Sequence, residues 1–100
     1  MYKDIISYKL ADWVTEEHLL KISTEIIDSW MKKQPGFMGW EINKNKDEWY
    51  TDIVSWQSEE FAKKAEKDMV NIPNANDWYS CYDRESMDCK NCELIKEFTK

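Results

Sequence analysis

Pro35–Trp56, PGFMGWEINKNKDEWYTDIVSW, holds three of the chain's six tryptophans and both of its glycines. It reads as strand, polar turn, strand. In Phe37–Asn43, Met38, Trp40 and Ile42 alternate with Phe37, Gly39 and Glu41, the period of two that a pleated strand imposes. Gly39 inside this run predicts a bulge or a close approach by another group. Lys44–Glu48 is the turn. Trp49–Trp56 resumes the alternation, with Tyr50, Asp52, Val54 and Trp56 facing away from Trp49, Thr51, Ile53 and Ser55.

The flanks of this hairpin have a helical period. Thr15 is a good N-cap, Glu16 and Glu17 complement the helix dipole, and Leu19, Ile22, Ile26, Ile27, Trp30 and Met31 recur at helical spacing up to about Lys33. Pro35-Gly36 stops that helix. Ser58 caps a second one over Glu59–Asn71, with Phe61, Ala62, Ala65, Met69 and Val70 as its apolar stripe. Before the first helix, Ile5–Ala11 reads as strand one, with Ile6, Tyr8 and Leu10 on one face. After Pro73, Asn74–Tyr82 holds room for one helical turn, and Glu93–Phe98 carries the apolar signal for strand four. The order strand, helix, strand, strand, helix, strand predicts an α+β, ferredoxin-like split βαββαβ fold, an antiparallel sheet with both helices on one face. No third long helix is available for the other face, so a second copy of the chain is expected to cover it.

The chain is 100 residues with no internal repeat or linker, so residues 1–100 form a single domain. A net charge of −6, with lysines interspersed among glutamates, argues against nucleic acid as a partner. Apolar runs are only a few residues long, which excludes a membrane-spanning helix, and MYKDIISYKL lacks the pattern of a secretory leader. Three cysteines, all in the last twenty residues, do not form a disulfide framework, and a cytoplasmic location is expected.

Several residue groups admit a chemical reading beside a packing one. Tyr50, Asp52 and Trp56 form either an aromatic wall with an acid that orients or deprotonates a phenol, or two core rings and a polar strand residue. Trp40 and Tyr8 join that group if the register aligns them. Trp78, Tyr79 and Tyr82 either cover a flat ligand as a lid or dock on the core. Cys89-Lys90-Asn91-Cys92 is a CxxC without the strand-then-helix context of a redox motif. As a zinc site it would need two more ligands, for which only Cys81 and the lone His18 are arithmetically available, so no metal is expected.

Gln34-Pro35-Gly36-Phe37 closing the first helix, and Trp56-Gln57-Ser58-Glu59-Glu60 opening the second, resemble the dimeric α/β-barrel superfamily. Within it the likeness is to antibiotic-biosynthesis-monooxygenase-like domains, over roughly Ile5 to Val70. The resemblance implies a homodimer whose sheets pack as a barrel, with a small organic ligand bound between sheet and helices. The group includes cofactor-free monooxygenases, haem-degrading enzymes, decarboxylase- and isomerase-like proteins and members of unknown role, and two of these activities can be set against the residues. One is cofactor-independent oxygenation of an aromatic substrate, to which the residue groups above would bring Asp52 and Tyr50 as catalytic residues and Trp56, Trp40, Tyr8, Trp78, Tyr79 and Tyr82 as substrate-binding ones. The other is haem degradation, which in this group goes with an Asn on strand one, a Trp closing strand three and a His on the second helix. Here Trp56 matches, Ser7 or Tyr8 stands where the Asn would be, and Glu59–Asn71 has no histidine, so no cofactor is expected. Non-catalytic ligand binding, or a structural dimer module, is the alternative.

Overall fold

A computed structural model describes all residues from 1 to 100. The elements are β1 (Tyr2–Tyr8), α1 (Glu16–Ser29), β2 (Phe37–Lys44), β3 (Tyr50–Trp56), α2 (Glu59–Asp68), α3 (Ala75–Tyr79) and β4 (Asp88–Glu93). The four strands form one antiparallel sheet in the order β2-β3-β1-β4. This is the ferredoxin-like α+β arrangement, and the helices cover one of its faces.

The covered face is set by alternation. Along β3, Tyr50, Asp52, Val54 and Trp56 are buried, and they pair with Tyr8, Ile6, Asp4 and Tyr2 of β1. Against them pack Leu19, Ile22 and Ile26 of α1 with Ala62 and Ala65 of α2. The opposite face carries the half-exposed Ile5, Ile53, Thr51 and Ser55, with no helix over it.

Thr15 caps α1 as expected, its Oγ1 accepting from the His18 amide at 3.1 Å. The helix ends at Ser29 rather than Lys33, because Trp30 leaves helical geometry (φ −140°) and Met31–Lys33 form a separate 3-10 turn. Trp30 then donates from Nε1 to Asp68 Oδ2 at 2.7 Å, which ties the ends of α1 and α2 together. Gly36 follows with φ +79°, where any Cβ would overlap the Phe61 ring. The glycine is therefore required both for its left-handed backbone and for the close approach of α2.

A bulge lies between Phe37 and Gly39. It corrects the expected facing of β2: Phe37, not Met38, shares the covered face with Trp40 and Ile42, and Phe37 meets Trp56 edge-on at 5.7 Å. Met38, carried by the extra residue of the bulge, turns outward. The second helix ends at Asp68, with a 3-10 turn over Met69–Asn71, and Val70 is 88% exposed instead of lying in the apolar stripe.

Strands one and four are both displaced from their expected positions. β1 begins at Tyr2, because Tyr2 and Asp4 continue the pairing of β1 with Val54 and Trp56, and it ends at Tyr8. β4 is Asp88–Glu93, not Glu93–Phe98. Its residues are all exposed and its place is fixed by pairing with β1 rather than by burial. Ile95 and Phe98, whose apolar character marked the expected strand, are 96% and 88% exposed.

Candidate functional site

A cavity of about 830 Å³ opens between the covered face of the sheet, α2, and the segment from α3 to β4. Its floor is built by the β-strand period. Tyr2, Asp4, Ile6 and Tyr8 project from β1, Asp52, Val54 and Trp56 from β3, and Trp40 from β2. Trp78, Tyr79 and Tyr82 form the wall at one end, and Met87, Cys89 and Asn91 line the β4 side.

Asp52 is the polar centre of this floor. It is only 4% exposed, and it accepts from the Tyr8 hydroxyl at 2.7 Å and from Trp40 Nε1 at 3.1 Å. Burial pushes its carboxyl up to about 6, and the two hydrogen bonds oppose that shift only in part. The same burial, together with the neighbouring Asp52 charge, raises Tyr8 and Tyr82 well above an ordinary phenol, so both remain protonated donors. A carboxylate has about four lone-pair sites. Tyr8 and Trp40 use two, which leaves others for a proton-bearing ligand.

The rings around it form a connected wall. Tyr82 meets Tyr8 edge-on at 4.7 Å, Trp78 meets Trp40 at 5.8 Å, and Tyr79 stacks on Trp78 at 5.6 Å. Trp78 Nε1 donates to the Tyr82 hydroxyl. Five-residue α3 is fastened down: the Ala11 amide donates to the Cys81 carbonyl and the Asp83 amide to the Lys9 carbonyl, each at 2.9 Å. Trp78 is buried and Cys81 is 0% exposed. The segment thus docks its rings on the core and lines the cavity with them at the same time.

Of the residues singled out from the sequence, Asp52, Trp56, Trp40, Tyr8, Trp78, Tyr79 and Tyr82 all border this cavity. Tyr50 does not. It shares the strand face with Asp52, but its ring stacks on Tyr8 at the far end and its hydroxyl donates to Glu16 Oε1 at 3.0 Å, so a catalytic role for Tyr50 is withdrawn. The CxxC cysteines cannot act as a pair either. On a strand, positions three apart point to opposite faces, so Cys89 borders the cavity while Cys92 lies across the sheet beside Lys3. No three His, Cys, Asp or Glu side chains come together in a way that could hold a metal ion.

Sequence reasoning missed Asp4. Burial raises its carboxyl above the usual range, while the nearby Trp56 indole favours its ionised form. With the Asn91 amide turned to satisfy its neighbours, Asn91 donates to Asp4 Oδ1 at 2.9 Å and accepts from the Tyr2 hydroxyl at 2.9 Å. Trp56 is 3% exposed and its Nε1 makes no well-formed hydrogen bond, although the Asp4 carboxyl lies beside it. The alternation that places Asp4 beside Ile6 and Tyr8 was available in the sequence, but only with a strand that starts at Tyr2.

No protein-family model matches the chain, and no curated protein matches its sequence. Solved structures do match. The cofactor-independent oxygenase SnoaB from Streptomyces nogalater superposes with a TM-score of 0.77 at 11% identity, over 99% of this chain and 97% of that one. A provisionally assigned antibiotic biosynthesis monooxygenase from Nitrosomonas europaea gives 0.67 at 15% identity, over 96% and 100%. A MhuD variant with two manganese protoporphyrin IX molecules bound per active site gives 0.68 at 12% identity, over 100% of both chains. A dimeric ferredoxin-like protein from an uncultured marine organism gives 0.67 at 10% identity, over 99% and 91%. The chain thus has the ferredoxin-like fold of the antibiotic-biosynthesis-monooxygenase-like proteins, and at these identities the likeness is one of fold.

Proposed function

We propose that the protein is a homodimer that binds a flat phenolic molecule in this cavity and oxygenates it without a cofactor. The observation that carries this reading is a buried carboxyl, Asp52, at the floor of an aromatic cavity and within reach of a ligand hydroxyl. Asp52 would take the hydroxyl proton, and the electron-rich phenolate would then reduce dioxygen directly. The balance closes without another reductant: the phenol O–H, the ring C–H para to it and one O2 become the two carbonyls of a quinone and one water. The walls contribute stacking area and exclude bulk water. Dimerisation would cover the open sheet face around Ile5 and Ile53, and the similarity to a dimeric ferredoxin-like protein supports it. We place the protein in the cytoplasm, where its three unpaired thiols stay reduced.

Oxygen uptake with a panel of naphthols and hydroquinones tests the reaction. Uptake above the protein-free rate, abolished in Asp52→Asn, is expected for at least one member. No uptake from folded dimer would sink the oxygenase reading. A second reading, binding without turnover, is favoured by the fact that both Asp52 oxygens already have protein donors. In that case a naphthol would raise the melting temperature without consuming oxygen.

A further inference from the structure

Asp4 and Asp52 stand on the same floor of the cavity in adjacent strands. Asp4 pairs with Val54, and Asp52 with Ile6, so the two are diagonal neighbours across β1 and β3. Diagonal neighbours stand about 7–8 Å apart, with their Cβ atoms somewhat closer. Each carboxyl has its own fixed support, Tyr8 and Trp40 for Asp52 and Asn91 for Asp4. Beside Asp4 lies the buried Trp56 N–H, a donor that makes no well-formed hydrogen bond in the protein. Leaving a buried donor unpaired costs about 1–3 kcal/mol. A ligand oxygen at that point would relieve this cost, and this observation points to an acceptor atom at the Asp4 end.

We propose that Asp4 and Asp52 act as a general acid–base pair that interconverts keto and enol forms of a flat, ring-fused ketone. The proposal rests on the reading that this cavity binds flat aromatic molecules, but it requires no oxygen. In the ketonising direction the Asp52 carboxylic acid delivers its proton to the carbon next to the C–O group. The C=C electron pair forms the new C–H bond, and the enol O–H gives its proton to the Asp4 carboxylate while Trp56 Nε1 donates a hydrogen bond to the oxygen; the reverse sequence enolises the ketone. Nothing is oxidised, and the two carboxyls exchange protonation states, to be reset by solvent or by the reverse reaction. The spacing suits an enolisable C–C=O unit, with a hydrogen bond of about 2.8 Å at its oxygen and a carboxyl oxygen about 3–3.5 Å from its carbon. Burial raises both carboxyls above the ordinary range, Asp52 up to about 6.

The test is deuterium exchange at C1 of 2-tetralone in D2O, followed by NMR, with binding read in the same samples by saturation transfer. The wild-type chain should exchange C1 faster than buffer of equal carboxylate content. Asp4→Asn and Asp52→Asn should each lose about 100-fold of that rate, with 2-tetralone still bound. Trp56→Phe should lose about tenfold, equivalent to one hydrogen bond, and Asp4→Glu should recover part of the Asp4→Asn loss, which a merely structural role would not produce. Bound 2-tetralone with no exchange, or Asp4→Asn at the wild-type rate, would overturn this proposal and leave ligand binding standing. Failure of the folded wild-type protein to bind 2-tetralone would overturn both.

Discussion

Replacing Asp52 with Asn should stabilise the protein at neutral pH. In the folded chain the Asp52 proton is held up to about pH 6, while the unfolded chain gives it up near 3.8. Between these values the native state binds more protons than the unfolded state, so stability falls as pH rises. The contribution is complete below about pH 4 and lost above pH 6. The gap corresponds to roughly 3 kcal/mol. Asn is a neutral isostere of the protonated acid, and it can still accept from Trp40 while donating to the Tyr8 oxygen. Asp52→Asn should therefore match the wild type near pH 3.5 and exceed it by roughly 3 kcal/mol at pH 8, a rise in melting temperature of about 12–24 °C. Other carboxyls titrate in the same window, but they are common to both proteins and cancel in the difference curve. Urea unfolding followed by tryptophan fluorescence, at one protomer concentration and five pH values, measures it. A difference curve that is flat with pH, or one that favours the wild type at pH 8, would refute the claim that burial dominates at Asp52.

Gly36→Ala should destabilise by about 2–4 kcal/mol, since it combines a left-handed backbone with overlap against Phe61; a loss under 0.5 kcal/mol in thermal melting would contradict that geometry. Cys81 should resist a thiol reagent until the chain unfolds, being fully buried and bonded through Sγ to the Asp77 carbonyl, whereas Cys89 should react in the native state; early labelling of Cys81, located by peptide mapping, would be the contrary result. Ile53→Asp, on the open face, should leave the covered core intact and produce monomer in light scattering, and an unchanged dimer would place the interface elsewhere.

The parts of the fold that were legible in the sequence are those whose signals come from the chain's own neighbours. Thr15 with Glu16 and Glu17 marks the start of α1 and Gly39 the bulge, each through local backbone chemistry, whereas Pro35-Gly36 bounds only the 3-10 turn that follows the end of α1 at Ser29. β4 had no such signal. Asp88–Glu93 is an exposed edge strand without apolar alternation, defined by hydrogen bonds to β1, whereas Leu94, Ile95 and Phe98 carry the pattern of a strand and form none. The candidate site divides along the same line. Asp52 and Trp56 could be found because alternation along one strand puts them on one face, whereas Trp40 joins them only through the register of β2 with β3, which the sequence does not carry. Asp4 was hidden by a strand start placed three residues late. Tyr50 was misassigned because sharing a face does not fix depth along the strand, and Glu16, brought there by α1, takes its hydroxyl.

The exposure of β4 has a consequence for how this protein can change. Most walls of the cavity are also core, so altering Trp56 or Tyr8 to admit a different ligand would endanger the fold. Met87 and Cys89 are different: they border the cavity, yet they lie along an edge whose residues are exposed, and no side-chain hydrogen bond ties them to the core. Substitutions at such positions usually alter stability by no more than about 0.5 kcal/mol. Ligand preference can therefore drift along this one wall at little thermodynamic cost, while the opposite wall preserves the architecture.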